Sequence, residues 1–445
     1  NTTGARNVAI GYDALSANTT ANNNTAVGNA SLDANTDGTA NTAVGRNALG
    51  ANTTADNNTA VGYNSLLSST TGATNTAVGS LALDANTTGS GNTGIGYGAL
   101  SANTTADYNT AVGEYAAVSN TTGAHNTALG RASLYANTTG VNNVAAGSSA
   151  LNANTTGNYN VAVGTNALDV NTTGGANTAV GNDALGANTT ADYNTAVGVS
   201  ALLANTTGAT NTAMGYRALH SNTTASGNTA VGKDALLDNT TGANNVAIGE
   251  NALANNTTAD QNVAVGQNAS LTATTASDNI SMGHDAMRLT TTGSYNVGIG
   301  TDALRANTTG QRSVAIGYQA LDAQTTGGDN VSVGYESGSA VTTGLENTFI
   351  GYYAGAGTTT ADYNVAIGSS ALQANSTGAN NVAIGRAALD ANTTASNNVA
   401  VGTNALTENT TGTQNTAVGA YALDANTTAD ANVAIGRNAL GATTT

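Results

Sequence analysis

A five-residue element recurs every 17 residues along this chain without one insertion or deletion. Asn7-Val8-Ala9-Ile10-Gly11 returns as Asn24-Thr25-Ala26-Val27-Gly28 and as Asn41-Thr42-Ala43-Val44-Gly45. The series continues to Asn432-Val433-Ala434-Ile435-Gly436, which makes 26 units. A strict period has a physical meaning: each unit stacks on the next, and one extra residue breaks the register of every ladder. Seventeen residues are too few for a helical-hairpin repeat, whose periods run to roughly 33–47. They suit one coil of a parallel β-solenoid. The expected architecture is all-β: a β-roll of about 26 coils in one continuous repeat domain over 1–445, with a partial coil at 1–6 and full repeats from 7.

The unit reads Asn-(Thr/Val)-Ala-(Val/Ile)-Gly-x-x-Ala-Leu-x-Ala-Asn-Thr-Thr-(Gly/Ala)-x-x. Gly holds position five in all 26 units, and Leu holds position nine in 21. Position two is Thr thirteen times, Val twelve times and Ile once (Ile280). These share a branched Cβ, which favours strand. Alternation puts positions two and four on one face and Ala and Gly on the other. The bulky face (Ile10, Val27, Val44) is expected to point inward against Leu15, Leu32 and Leu49. The bare face, with Gly11, Gly28 and Gly45, is expected to accept a neighbouring backbone. Ala-Leu at positions eight and nine predicts a second short strand, and Asn-Thr-Thr-Gly a turn. Ala in place of Gly at position fifteen (Ala55, Ala106, Ala191) argues for a negative φ there. Stacking at about 4.8 Å predicts a rod of roughly 120 Å. It also predicts an asparagine ladder through Asn7, Asn24 and Asn41, with amides bonded up the stack. Like charges stack at a cost, which fits the scatter of Asp and Glu over variable positions. Pro is absent, as expected where most backbone N–H groups donate to a neighbouring coil.

Composition narrows the function. Only 8% of residues are charged, against about 25% in ordinary domains. The net charge of −16 makes nucleic acid an improbable partner, because phosphates need a Lys/Arg patch. Without cysteine there is no disulfide framework, thiolate metal site or cysteine nucleophile. No apolar run is long enough to span a bilayer. One Leu, one Val or Ile and one Thr or Val per coil make a thin core. Burying such a side chain yields roughly 1.5–3 kcal/mol, while ordering each residue's backbone costs about 1–2 kcal/mol. Side-by-side association of several parallel solenoids through the bare face would supply further burial; a monomer whose small face packs its own interior is the alternative.

Ser313-Val314-Ala315-Ile316-Gly317 and Asn381-Val382-Ala383-Ile384-Gly385 carry a resemblance. They are similar to the YadA-like head repeats of trimeric autotransporter adhesins, and to 17-residue arrays of tail-fibre-like proteins of phages and bacteria. The match runs through the strand, the Gly and the following Ala. The adhesin unit is shorter, and the extra length here falls in Ala-Asn-Thr-Thr-Gly. The resemblance spans residues 7–445. It implies a left-handed parallel β-roll assembled as a homotrimer, outside a cell, at its surface or on a virion. It further implies a spacer or adhesive role, with a host surface protein or glycan as partner.

No group of residues in the sequence assembles chemistry. His125, His220 and His284 occupy positions seventeen, ten and six of distant coils, so neither a metal site nor a catalytic site is expected, and no cofactor. Asp56, Asp107 and Asp192 at position sixteen lack calcium-loop spacing and read as a solubilising surface. Gly96-Tyr97-Gly98 opens no helix, so it is no phosphate cradle. Tyr recurs at position six (Tyr12, Tyr63, Tyr97, Tyr216, Tyr318) and at position seventeen (Tyr108, Tyr159, Tyr193, Tyr295, Tyr363). Tyr is a good contact residue, and with the adjacent pair Tyr352 and Tyr353 these are the candidate contact sites, or else partly exposed rings shielding the coil edge. Around 330–360 Gly338 and Gly355 replace Leu, and Phe349 enters where Ala is usual; Phe349 is expected to refill the lost volume. Asn52-Thr53-Thr54 and its repeats match the N-glycosylation acceptor pattern. The expected function is a non-enzymatic fibre or adhesin shaft that presents a binding surface. A phage tail-fibre shaft is one alternative. An ice-binding solenoid acting through threonine ladders is another. Uncapped terminal coils leave open stacking end to end into a filament.

Overall fold

In a computed structural model, which describes residues 2–444, the chain is an all-β parallel solenoid with 17 residues per turn. It carries 26 strands of three residues, one per repeat, from Val8–Ile10 to Val433–Ile435, and no helix among the described residues. The chain forms two compact units, 1–225 and 226–445. Within each unit the strands pair in parallel, like residue over like residue: Thr25 lies on Thr42, Ala26 on Ala43 and Val27 on Val44, and Val382 lies on Val399.

The whole coil is laddered, not only the strand. Thr25 N–H donates to the Asn41 carbonyl at 2.9 Å, and Gly28 N–H to the Ile10 carbonyl at 2.8 Å. Leu32 N–H donates to Ala48 at 3.0 Å, and Asn47 N–H to Asn29 at 3.0 Å. Position five has to be Gly. Gly28 has φ 137°, and a Cβ there would lie 2.5 Å from the Gly45 carbonyl oxygen. Each coil also holds positions seven, nine and seventeen in the left-handed region, as at Asn47 (57°), Leu49 (51°) and Asn57 (60°). Such residues cost about 1–2 kcal/mol each. The ladders that hold them offset that cost. Position fifteen lies outside the left-handed region whether it is Gly38 or Ala55, as expected from the Gly/Ala exchange.

Three expectations are corrected. First, the strand faces the opposite way. Its central residue is buried in every strand but the first, while positions two and four point outward; Val44 is 36% exposed and Ile384 37%. Ile10, Val27 and Val44 are therefore surface residues. Leu32 and Leu49 are interior, as expected. Leu packs on the position-three residue of the following coil: a Cβ on Gly94 would lie 3.3 Å from Leu83 Cδ1. A coil so tightly closed has room for one Leu, two Ala and two Asn, but not for two branched side chains as well. Second, Ala-Leu forms a turn, not a strand, because Leu adopts positive φ. Third, there are two asparagine ladders. The position-one Asn uses its Oδ1 to accept the backbone N–H of the next Asn (Asn24 to Asn7, 2.9 Å; Asn41 to Asn24, 2.9 Å). Amide-to-amide bonds occur at position one only in places, as from Asn143 Nδ2 to Asn126 Oδ1 at 3.2 Å and from Asn347 Nδ2 to Asn330 Oδ1 at 3.1 Å. The regular amide-to-amide ladder runs through position twelve, where Asn52 Nδ2 donates to Asn35 Oδ1 at 2.7 Å and Asn120 Nδ2 to Asn103 Oδ1 at 3.0 Å. Both Asn side chains of a coil also donate to its position-fifteen carbonyl, as Asn41 and Asn52 do to Ala55 at 2.7 and 3.2 Å.

Candidate binding surfaces

Because the branched residues face outward, each unit presents an uncharged strand face. No Asp, Glu, Lys or Arg occupies positions two to four in any repeat. Within 1–225 position two is mostly Thr, unbroken from Thr25 to Thr127; within 226–445 it is mostly Val. Position six, just past the strand, holds five of the ten basic residues (Arg46, Arg131, Lys233, Arg386, Arg437). It also holds many of the tyrosines, and the Arg46 guanidinium lies 6.0 Å over the Tyr63 ring.

The candidate tyrosines are exposed except Tyr353, which is half-buried, and they do not form one stripe. Tyr12 and Tyr63 stand singly in their column. Tyr97 meets Tyr115 edge-on at 5.3 Å, and Tyr108 stacks on His125 at 5.2 Å. The cluster lies around Tyr352 and Tyr353, which meet edge-on at 4.4 Å. Tyr318, Tyr335 and Tyr352 fill position six in three successive coils, with rings stacked at 5.1 and 5.5 Å. Tyr335 and the hollow beside the stack went unnoticed in the sequence; the unbroken Tyr run in one register position was the signal. The hollow, of about 450 Å³, is lined by Tyr353, Glu336, Ser339, Gln373 and Asp390, and opens where Ala356 and Gly357 are small. Desolvation pushes the Tyr353 hydroxyl up to about 12, helped by its hydrogen bond to Tyr352 and by the Glu336 charge. A hydrogen bond to Glu336 raises Tyr335. Burial, then the Glu408 charge, raises the Asp390 carboxyl.

The unusual interior beneath is accounted for. Phe349 is fully buried. A Cβ on Gly338 would lie 2.8 Å from Phe349 Cδ2, and one on Gly355 would collide with the same ring. The ring therefore occupies the volume of two missing leucines, as expected.

Other candidates resolve into structural roles. Asp56 Oδ1 accepts Thr39 N–H at 2.6 Å, Asp107 accepts Ser90 N–H at 2.7 Å, and Asp192 accepts Gly175 N–H at 2.6 Å. Among the described residues no group of three or more His, Cys, Asp and Glu is placed to hold a metal ion. Among the described residues no helix is long and apolar enough to cross a membrane. Asn52 is fully buried in the position-twelve ladder, so its amide is inaccessible to glycosylation once the coil has formed. The position-thirteen hydroxyls donate to the next coil, as Thr87 Oγ1 does to Thr104 at 3.0 Å. No protein-family model matches the chain, and no curated protein matches it.

Proposed function

We propose that this chain is the repeat region of an extracellular fibre or adhesin, assembled from parallel copies and presenting a binding surface to a host protein or glycan. The observation that carries this reading is the outward strand face. An exposed, uncharged strand face, bearing mostly Thr within 1–225 and mostly Val within 226–445, marks an interaction site. Its features repeat once per coil, so the surface that matches it along its length is the same face on another copy. Three copies follow from the resemblance to YadA-like head repeats. Such an assembly belongs on a cell surface or, as a tail-fibre shaft, on a virion. Its role is mechanical and adhesive, with no catalytic step.

Analytical ultracentrifugation of the full chain tests the assembly. A trimer is expected, and the triple variant Ile248→Lys, Ile316→Lys, Ile384→Lys is expected to sediment as a monomer that keeps its β circular dichroism. A monomeric parent chain overturns the assembly reading. One observation favours a second reading, ice binding. From Thr25 to Leu129 the strand face is an in-register Thr-x-(Val/Ile/Leu) array over seven coils. Thermal hysteresis and ice shaping by the full chain would support it, and their absence at millimolar concentration removes it.

A further inference from the structure

We propose that the hollow beside Tyr353 is a glycan subsite that takes an uncharged pyranose, with the Tyr353 ring as platform and Glu336, Gln373 and Asp390 as hydroxyl partners. This deepens the binding-surface half of the proposed function and rests on it.

Four observations converge. The hollow sits within the volume range of small-ligand sites, roughly 300–1,000 Å³. Its position-ten column reads Ser339, Ala356, Gln373, Asp390 in successive coils, so a gap of small residues is flanked by hydrogen-bonding groups above and below. Tyr353 is fixed against Tyr352 and Tyr335, at 4.4 and 5.7 Å, so its ring is held in place before any ligand arrives. A rigid aromatic with few rotors loses little entropy on binding. Finally, the hollow is lined from positions seven, ten and eleven, none of them on the strand. A partner lying along the strand face leaves these positions outside the contact.

The chemistry selects the ligand class. Carboxylates accept hydrogen bonds from sugar hydroxyls, and Gln373 both donates and accepts. An aromatic face takes the apolar C–H face of a pyranose. No Lys or Arg lines the hollow, so sialic acids, uronic acids and phosphosugars have no counter-charge and meet two carboxylates instead. The Tyr353 hydroxyl, at about 12, stays protonated at physiological pH and remains a donor.

The chain has no Trp and 16 Tyr, so intrinsic tyrosine fluorescence reports on the site. The full chain would be titrated with the linear tetrasaccharides of β1,4-linked glucose and of β1,4-linked N-acetylglucosamine, by fluorescence and calorimetry. At least one is expected to bind with Kd near or below about 1 mM. Tyr353→Asn, which suits the positive φ of 55°, and Asp390→Asn are each expected to weaken binding about tenfold or more. Tyr159→Ala, at an exposed ring far along the chain, is expected to leave it unchanged. Absence of binding by both sugars at 10 mM, binding unaffected by both variants, or displacement of the sugar by tetramethylammonium each overturns the proposal. Sedimentation of the same variants separates the two readings: sugar binding by a chain that stays monomeric retains the subsite and removes the assembly, and the converse retains only the assembly.

Discussion

Inside a coil the side chains compensate one another across fixed offsets. Position nine of one coil packs on position three of the next, eleven residues on, and three exceptions to consensus come in such pairs. Ser270 bonds Ser281 at 2.9 Å. Met287 fills the space over Gly298, where a Cβ would lie 2.7 Å from its Cγ. Phe349 fills the space over Gly338. A second rule links the ladders. Ser313 shortens position one, and Gln324 in the same coil lengthens position twelve; Gln324 Nε2 donates to Ser313 Oγ at 3.1 Å and its Oε1 accepts from Asn330 Nδ2 at 3.0 Å. Gln324→Asn alone should cost about 1–3 kcal/mol by orphaning buried polar groups. Ser313→Asn alone should overpack the same space at a similar cost of about 1–3 kcal/mol. The double variant restores consensus and should return close to the parent stability in urea melts. Additive losses would sink the pairing. Phe349→Ala should cost about 3–5 kcal/mol, and adding Gly338→Leu and Gly355→Leu should recover most of it, measured the same way. The Phe–Gly exchange was legible in the sequence because the period survived around it. The Ser–Gln exchange was not, since it depends on two ladders meeting at one carbonyl.

At the scale of the strand and its flanking turns, periodicity revealed the alternation but not which face is buried. Thr, Val and Ile at position two and Val or Ile at position four looked like a core because they are the bulkiest residues in the unit. The backbone decides otherwise: the sharp turn at Gly28 brings the chain back so tightly that only Ala26 fits inside the strand. Charge obeys the column logic. Several charged neighbours in one column have opposite sign, as Lys233 with Glu250 at 3.0 Å and Arg312 with Asp329 at 2.6 Å. Like charges also stack: Asp329 is followed by Glu346, and the stacked Arg288 and Arg305 are met by the stacked Asp285 and Asp302 beside them at 3.5 and 3.7 Å. Exposed pairs of this kind contribute little each. Asp84 is different. Burial raises its carboxyl above the ordinary value, and its Oδ1 is buried without a partner. A folded state that holds this proton more tightly than the unfolded chain loses stability as pH rises through the carboxylate range. Asp84→Asn should therefore raise the melting temperature at pH 7, and the gain should shrink as pH falls toward the raised value. A gain that grows on acidification would contradict the assignment.

For the molecule as a whole, the tolerance of the fold is set by whole periods. Removing residues 143–159 takes out one complete repeat and should leave cooperative melting and β circular dichroism intact, whereas removing Thr156 alone should broaden the transition. The fold class, coil length and number of coils were legible from the repeat alone. The tyrosine hollow was not, because it depends on which side chains at positions seven and ten reach across neighbouring coils. The position-twelve ladder shows what interruption costs. It lapses at Ser69, at Ala273 and Thr290, at Gln324, Val341 and Thr358, and at Thr443, and the Asn before each gap (Asn52, Asn256, Asn307, Asn426) is left with an unpartnered buried Oδ1. An unsatisfied buried acceptor costs about 1–3 kcal/mol. Such gaps are tolerable only because the remaining ladders bridge them. The glycine column has a consequence for ancestry. Each position-five Gly is forbidden a side chain by its own φ, which runs from 119° to 143° down the column, and every one but Gly436 is forbidden it also by the coil that follows. The steric half of the prohibition belongs to the junction between neighbours, and every junction is alike. Recombination that duplicates or excises an entire unit creates no junction the molecule has not already solved, so lineages can drift in copy number while point substitution at that glycine stays closed to them.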